Sequence, residues 1–159
     1  MAPLVVQTSF IQHHVTLNRS PLILAPILEA FFVSLQPSAN SILLGYLVLP
    51  IVLYPSSQKF LKNANSTSSI RTYCGDMTRL AGLSKRIIEL RSVSSLAMQH
   101  CIDSRALTLQ KDLSLVSLRD ERMPPNGRSI ELKAANRLAA ILDPYDVPTA
   151  YRLLGVRNL

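Results

Sequence analysis

Between Ala30 and Gln58 the chain carries no Lys, Arg, Asp or Glu. A stretch without charge has no strongly solvated face, so it must be covered by lipid or by protein. Gln36, Pro37, Ser38, Asn40 and Ser41 interrupt it, and the dense apolar part, Ile42–Tyr54, falls well short of the roughly 20 residues a helix needs to cross a bilayer. A buried core helix or a partner-binding helix is therefore favoured over a membrane anchor. With 48% hydrophobic and 17% charged residues in 159, the composition excludes a disordered chain. It suits one domain, 1–159, with an apolar helical half (1–55) and a basic half (70–159).

Of 17 basic and 10 acidic residues, only Arg19, Lys59 and Glu29 precede residue 61. Most of the net charge of +7 thus belongs to the second half. Such a balance fits nucleic acid, an anionic partner or plain solubility. The charges stand singly, so a solvated face and a DNA surface both remain open. Cys74 and Cys101 are too few for a disulfide framework and read as free thiols of a reducing compartment. The opening Met-Ala-Pro-Leu-Val-Val-Gln has no basic segment before a long apolar run, so no secretory signal is expected and the location expected is cytoplasmic.

Residues 1–17 have apolar positions without a period and suit a short strand or extended arm. Ser20 as N-cap and Pro21 at the first position predict a helix to about Leu35, with Pro26 either kinking it or marking its start. After a turn at 36–40, a second apolar helix is expected over Ser41–Tyr54. Pro50 is either its stop or a bend that shapes a docking groove. Pro55–Ser69 reads as a polar loop with a helical piece around Gln58–Lys62. Asp76 predicts a helix whose stripe is Met77, Leu80, Leu83, Ile87 and Leu90. A separate helix follows over Ser94–Asp103, burying Leu96, Ala97 and either His100 or Cys101. The period then becomes two at Leu107, Leu109, Leu113 and Leu115, a hairpin near 106–118 turning at Lys111-Asp112. After a loop at 119–128, Ser129 caps a helix to about Leu142 with Leu132, Ala135, Leu138, Ala139 and Leu142 inward. Asp146 caps a last helix that Gly155 ends.

The expected fold is a compact, mainly α domain with a small β-hairpin. Helix, helix, hairpin is also the order of a winged-helix domain. On that reading Arg79, Lys85, Arg86 and Arg91 lie on or near the first helix, Arg105 near the second and Lys111 at the wing tip, all placed to meet phosphates. The competing reading is common local packing with solvated charges.

Catalytic chemistry is not legible. There is no Gly-x-Ser-x-Gly, phosphate loop or His-Glu-x-x-His. His13 and His14 are adjacent and would face opposite ways on a strand, and His100 with the two distant cysteines gives no zinc spacing. Glu29 is a lone acid, more simply a surface or Lys-paired residue than a catalytic carboxylate. Asp120/Glu121 and Asp143/Asp146 fall where capping explains them. The expectation is no enzyme, no cofactor and no metal.

Two segments together carry a resemblance. One leads from Asn18-Arg19-Ser20-Pro21 through Ala25, Phe31 and Leu35 to Tyr46-Leu47-Val48-Leu49-Pro50-Ile51-Val52-Leu53-Tyr54. The other is Ala134-Ala135-Asn136-Arg137-Leu138 followed by Val147-Pro148-Thr149-Ala150-Tyr151-Arg152-Leu153-Leu154-Gly155-Val156. They resemble the middle component of three-component ABC systems. The chain departs from that pattern at Tyr54, where a His commonly follows the core, and at Pro55–Lys62, which lacks a second Leu-Pro. The resemblance implies an adaptor beside an SMC-like (Rad50-like) ABC ATPase and an effector, often a nuclease, as in Lamassu-type defence against phage and plasmids. DNA would be met through the complex. An adaptor needs apolar surface beyond its core, so Phe31, Leu35, Leu47, Leu49, Pro50, Val52 and Tyr54 are the expected partner interface. A stand-alone winged-helix DNA-binding protein and, third, a small membrane-associated protein are the alternatives.

Overall fold

Ser20 and Pro21 open the first helix as the sequence predicts. Helix α1 runs Pro21–Ser34, with Ser20 at the N-cap in extended backbone. The computed structural model describes residues 19–118 and 129–157. The expected N-terminal arm, His13, His14 and the loop with Asp120 and Glu121 lie outside the described residues. Pro26 sits inside α1 without ending it. The carbonyl it leaves without a helical donor belongs to Leu22, in the solvent-exposed first turn.

A 3-10 turn, Ser41–Leu44, feeds α2, Gly45–Val52. Pro50 lies within α2, and the helix stops two residues past it. The chain then turns by 100° between Ser41–Val52 and α3, Pro55–Asn63. Helix α3 is longer than the expected piece at 58–62, because Pro55 is pre-set for a first helical position. No single described helix is long and apolar enough to cross a membrane.

Helix α4, Ile70–Cys74, opens with a capping box between Ser69 and Thr72. Asp76 caps as expected, but only the short α5, Met77–Leu80. Gly82 then takes a φ of +67°, a left-handed conformation that interrupts the predicted helix and leaves Met77 exposed. From there one continuous helix, α6, spans Leu83–Asp103. The expected break before Ser94 does not form, because Arg91-Ser92-Val93 holds no glycine or proline to make one. Leu96 and His100 face solvent, while Ala97, Met98 and Cys101 are buried.

The hairpin pairs β1, Leu107–Leu109, with β2, Leu115–Ser117, antiparallel with Leu107 opposite Ser117 and Leu109 opposite Leu115. Its turn is held from outside: Asn40 N–H donates to Asp112 O at 2.8 Å and Ile42 N–H to Leu113 O at 3.1 Å. Leu115 N–H donates to Ser41 Oγ at 3.1 Å. The tip is thus fastened to the segment before α2. A winged-helix arrangement is not confirmed.

Helix α7, Ser129–Leu142, buries Ala135, Leu138, Ala139 and Leu142 as predicted, while Leu132, also expected inward, is only partly buried. Asp146 caps α8, Val147–Leu153, and Gly155 closes it at a φ of +75°. The fold is mainly helical with one two-stranded hairpin. Helix α1 packs against α6 and α7, α2 against α6, and α3 against α7. Gly45 lets α2 approach α6 closely: a Cβ there would lie 2.3 Å from Met98 Sδ. Leu24, Ile27, Leu28, Phe31 and Leu47 are fully enclosed, each worth about 1.5–3 kcal/mol of apolar burial.

Candidate functional site

The residues expected to meet a partner lie in the core. Phe31, Leu47, Leu49, Pro50 and Val52 are buried, and Leu35 retains 7% of its surface. An apolar stripe on one helix cannot say whether another helix of the same chain will cover it. Here α6 and α7 do so. Tyr54 is half-buried, and its ring lies under a guanidinium.

That guanidinium belongs to Arg86, one of the expected DNA-proximal cations. Arg86 Nε donates to Pro50 O at 3.1 Å, Nη2 to Arg79 O at 3.2 Å, and Nη1 to Ala81 O. Its carbon centre stands 3.6 Å from the Tyr54 ring centroid. Desolvation lowers its pKa from the ordinary arginine value, opposed by the two tyrosines beside it. Arg79 is engaged likewise. It donates to Thr72 O at 2.9 Å and Tyr73 O at 3.0 Å, lies 4.3 Å from the Phe60 ring centroid, and pairs with Asp76 at 3.8 Å. Both arginines supply donors to carbonyls at helix ends, where four acceptors go unpaired and the helix dipole is negative. The winged-helix reading would set them against phosphates, and the alternative was a solvated face; in the structure their donors go to the protein's own backbone.

Arg137 on α7 does the same for α3, donating to Leu61 O at 2.6 Å and to Lys62 O. It was missed as a functional candidate. Its signal was the polar pair Asn136-Arg137 set inside an otherwise apolar run.

Four expected cations remain at the surface. Lys85 pairs loosely with Glu89 at 3.9 Å. Arg91 is exposed on α6, Arg105 follows its C-terminus at a φ of +60°, and Lys111 sits in the hairpin turn. They do not form one patch. Lys85 and Arg105 are separated by the length of α6, about 30 Å at 1.5 Å per residue. Lys85 and Arg91, six residues apart, point about 120° from each other. Large apolar side chains are exposed along the same elements: Ile88 and Leu96 on α6, Leu109 and Leu113 around the hairpin turn.

A polar recess of about 750 Å³ opens at the surface. The end of α1, the loop at 64–68 and α7 form its walls. Ser34, Asn65, Ser66 and Ser68 face Lys133, Asn136 and Arg137 across it. Ser34 Oγ donates to Asn136 Oδ1 at 2.9 Å, tying α1 to α7. A neighbouring recess of about 470 Å³ shares Ala64 and Ser68 with it and is lined by Lys59, Asp76 and Arg79. The sequence reading treated this stretch as a loop and saw no site there.

Glu29 is buried on α1 rather than at a surface. Cys101 is close by, its Sγ 3.4 Å from Ala25 O. Burial pushes the Cys101 thiol up to about 12, and the Glu29 carboxylate adds to the shift. Cys74 is half-buried, and desolvation raises its pKa too. A raised pKa keeps a thiol protonated and weakly nucleophilic. Among the described residues no three His, Cys, Asp or Glu side chains gather as metal ligands.

The fold thus defines a mainly helical domain with one two-stranded hairpin, in which three arginines cap the protein's own helix ends. Residues 8–158 match the family described as ABC-three component (ABC-3C) system Middle Component 3, and the chain belongs to that family. No curated protein and no solved structure matches it.

Proposed function

We propose that this chain is a non-catalytic, cytoplasmic adaptor that binds an SMC-like ABC ATPase and couples its DNA sensing to an effector, often a nuclease, in defence against phage and plasmids. The observation that carries the reading is family membership over nearly the whole chain, residues 8–158. A middle component of a multi-component ABC system works through protein partners. Because most apolar residues of α1 and α2 are spent on the core, the proposed contact surface uses exposed apolar side chains elsewhere. Among these are Ile88 and Leu96 on α6 and Leu109 and Leu113 at the hairpin. The raised thiol pKa values add no nucleophile that would favour an enzyme.

The test is co-expression with the ABC ATPase encoded beside it. The adaptor should co-purify at fixed stoichiometry. Leu96→Asp and Leu113→Asp, both at exposed positions, should fold normally and lose the ATPase. An adaptor that never co-purifies with that ATPase, or a purified chain that turns over a substrate alone, would falsify the reading.

A further inference from the structure

We propose that the recess between α1, the 64–68 loop and α7 is a binding site for a phosphate group. This goes beyond the adaptor reading and does not depend on it. The volume of about 750 Å³ is in the range of ligand sites. Its lining combines two cations, Lys133 and Arg137, with hydroxyl and amide side chains, and includes no carboxylate. Phosphate oxygens accept several hydrogen bonds from such a mixture of charged and neutral donors.

Arg137 is held before any ligand arrives. Its Nη1 is fixed by Leu61 O and Lys62 O, so its charge is positioned without further ordering cost. The same contacts occupy carbonyls at the end of α3 that would otherwise repel an anion. Lys133 is exposed and makes no ion pair among the described residues, so its ammonium is available to close on the ligand. No aromatic ring lines this recess. A nucleobase would normally seek a ring to stack on, so the site is suited to the phosphate rather than the base. The adjoining recess beyond Ala64 and Ser68 is lined by the Asp76 carboxylate and by an Arg79 already engaged with Thr72 O, Tyr73 O and Asp76, so the phosphate site is confined to the first recess.

Two sources share this chemistry, a nucleic-acid backbone and a free phosphate compound. The full chain is titrated into a labelled single-stranded thymidine oligonucleotide by anisotropy, and separately with inorganic pyrophosphate by calorimetry. If the source is a strand, the oligonucleotide binds, pyrophosphate displaces it, and Lys133→Gln lowers the slope of log affinity against log salt by about one. If the source is a free compound, only pyrophosphate binds, and Lys133→Gln weakens it about tenfold, the size of one charged contact. Lys85→Gln, on α6 and outside the recess, should change neither. Lys133 is exposed, so its variant should keep the melting temperature of the parent. Binding that is unaffected by Lys133→Gln, or no binding of either probe, overturns the site.

Discussion

The two halves of the molecule are held by different physics. In α1 and α2 nearly every side chain that matters is apolar and enclosed, and the segment from Ala30 to Gln58 has no charge to place. From α3 onward the chain has to place cations that outnumber its acids. Only two ion pairs are seen among the described residues, both weak surface contacts. Instead Arg79, Arg86 and Arg137 turn to carbonyls at the ends of helices, and two of them also lie against aromatic rings. The lesson is that a basic composition is not a map of a basic surface. Backbone acceptors take up guanidinium groups as readily as phosphates do.

This contrast is open to attack, most severely in the core. Leu47→Asp places a charge where none can be paired, and no folded protein should be recovered. Phe31→Ala should cost about 3–5 kcal/mol in urea unfolding, the usual loss for a large buried ring. Arg86→Ala tests the other half. It strips donors from Pro50 O, Arg79 O and Ala81 O and should cost about 2–3 kcal/mol, with Arg86→Lys recovering little because an ammonium lacks the planar fork. If Arg86→Ala is neutral while Phe31→Ala is not, the guanidinium caps contribute nothing and the comparison collapses.

Ser94 sharpens it from the opposite side. Its Oγ is buried on α6 without a hydrogen-bond partner among the described residues. Ser94→Ala should be neutral or raise stability by about 1 kcal/mol, since an unpaired buried hydroxyl is a cost. Titration probes the second half alone, where every shifted group lies. Hydrogen bonds from the side chains of Thr78, Ser114 and Thr149 hold Asp76, Asp112 and Asp146 below the usual aspartate value. Lowered carboxylates stabilise above the ordinary aspartate pKa, near 3.9, and lose that effect as the pH falls through their own values. Burial raises Tyr73, Cys74, Cys101 and Tyr151. Such groups stabilise fully below their unfolded values, and the thiols begin to lose this above about pH 8.5. For Cys101 the loss is complete near 12. Urea midpoints against pH should therefore fall at both extremes, with Asp146→Asn flattening the acid limb and Cys101→Ala the alkaline one. The smallest expected effect is at Lys85 and Arg91, where change to Gln should stay within about 0.5 kcal/mol.

Local signals read well where one residue type has one use. Ser20-Pro21, Asp146 and Gly155 marked their helix ends, and the spacing of Ala135, Leu138, Ala139 and Leu142 gave the inner face of α7. The hairpin followed from a change of period. What failed needed knowledge of distant partners. A stripe on Leu47 and Val52 looked unsatisfied because α6, which covers it, lies some forty residues on. Arg86 was read as a surface cation because Pro50 O, its acceptor, is 36 residues away. The separate helices expected before and after residue 93 merged, since no breaker stood between them. The polar recess escaped notice because serines and asparagines in a loop look alike whether they turn the chain or line a cavity.

The bond from Ser34 to Asn136 spans 102 residues. Helix α1 leaves the ribosome long before α7, the helix that it packs against, has been made. At 5–20 residues per second the wait is roughly 5–20 s. For that interval the greasiest stretch of the chain is in the open, where chaperones, or a subunit assembling on the nascent chain, would find it first.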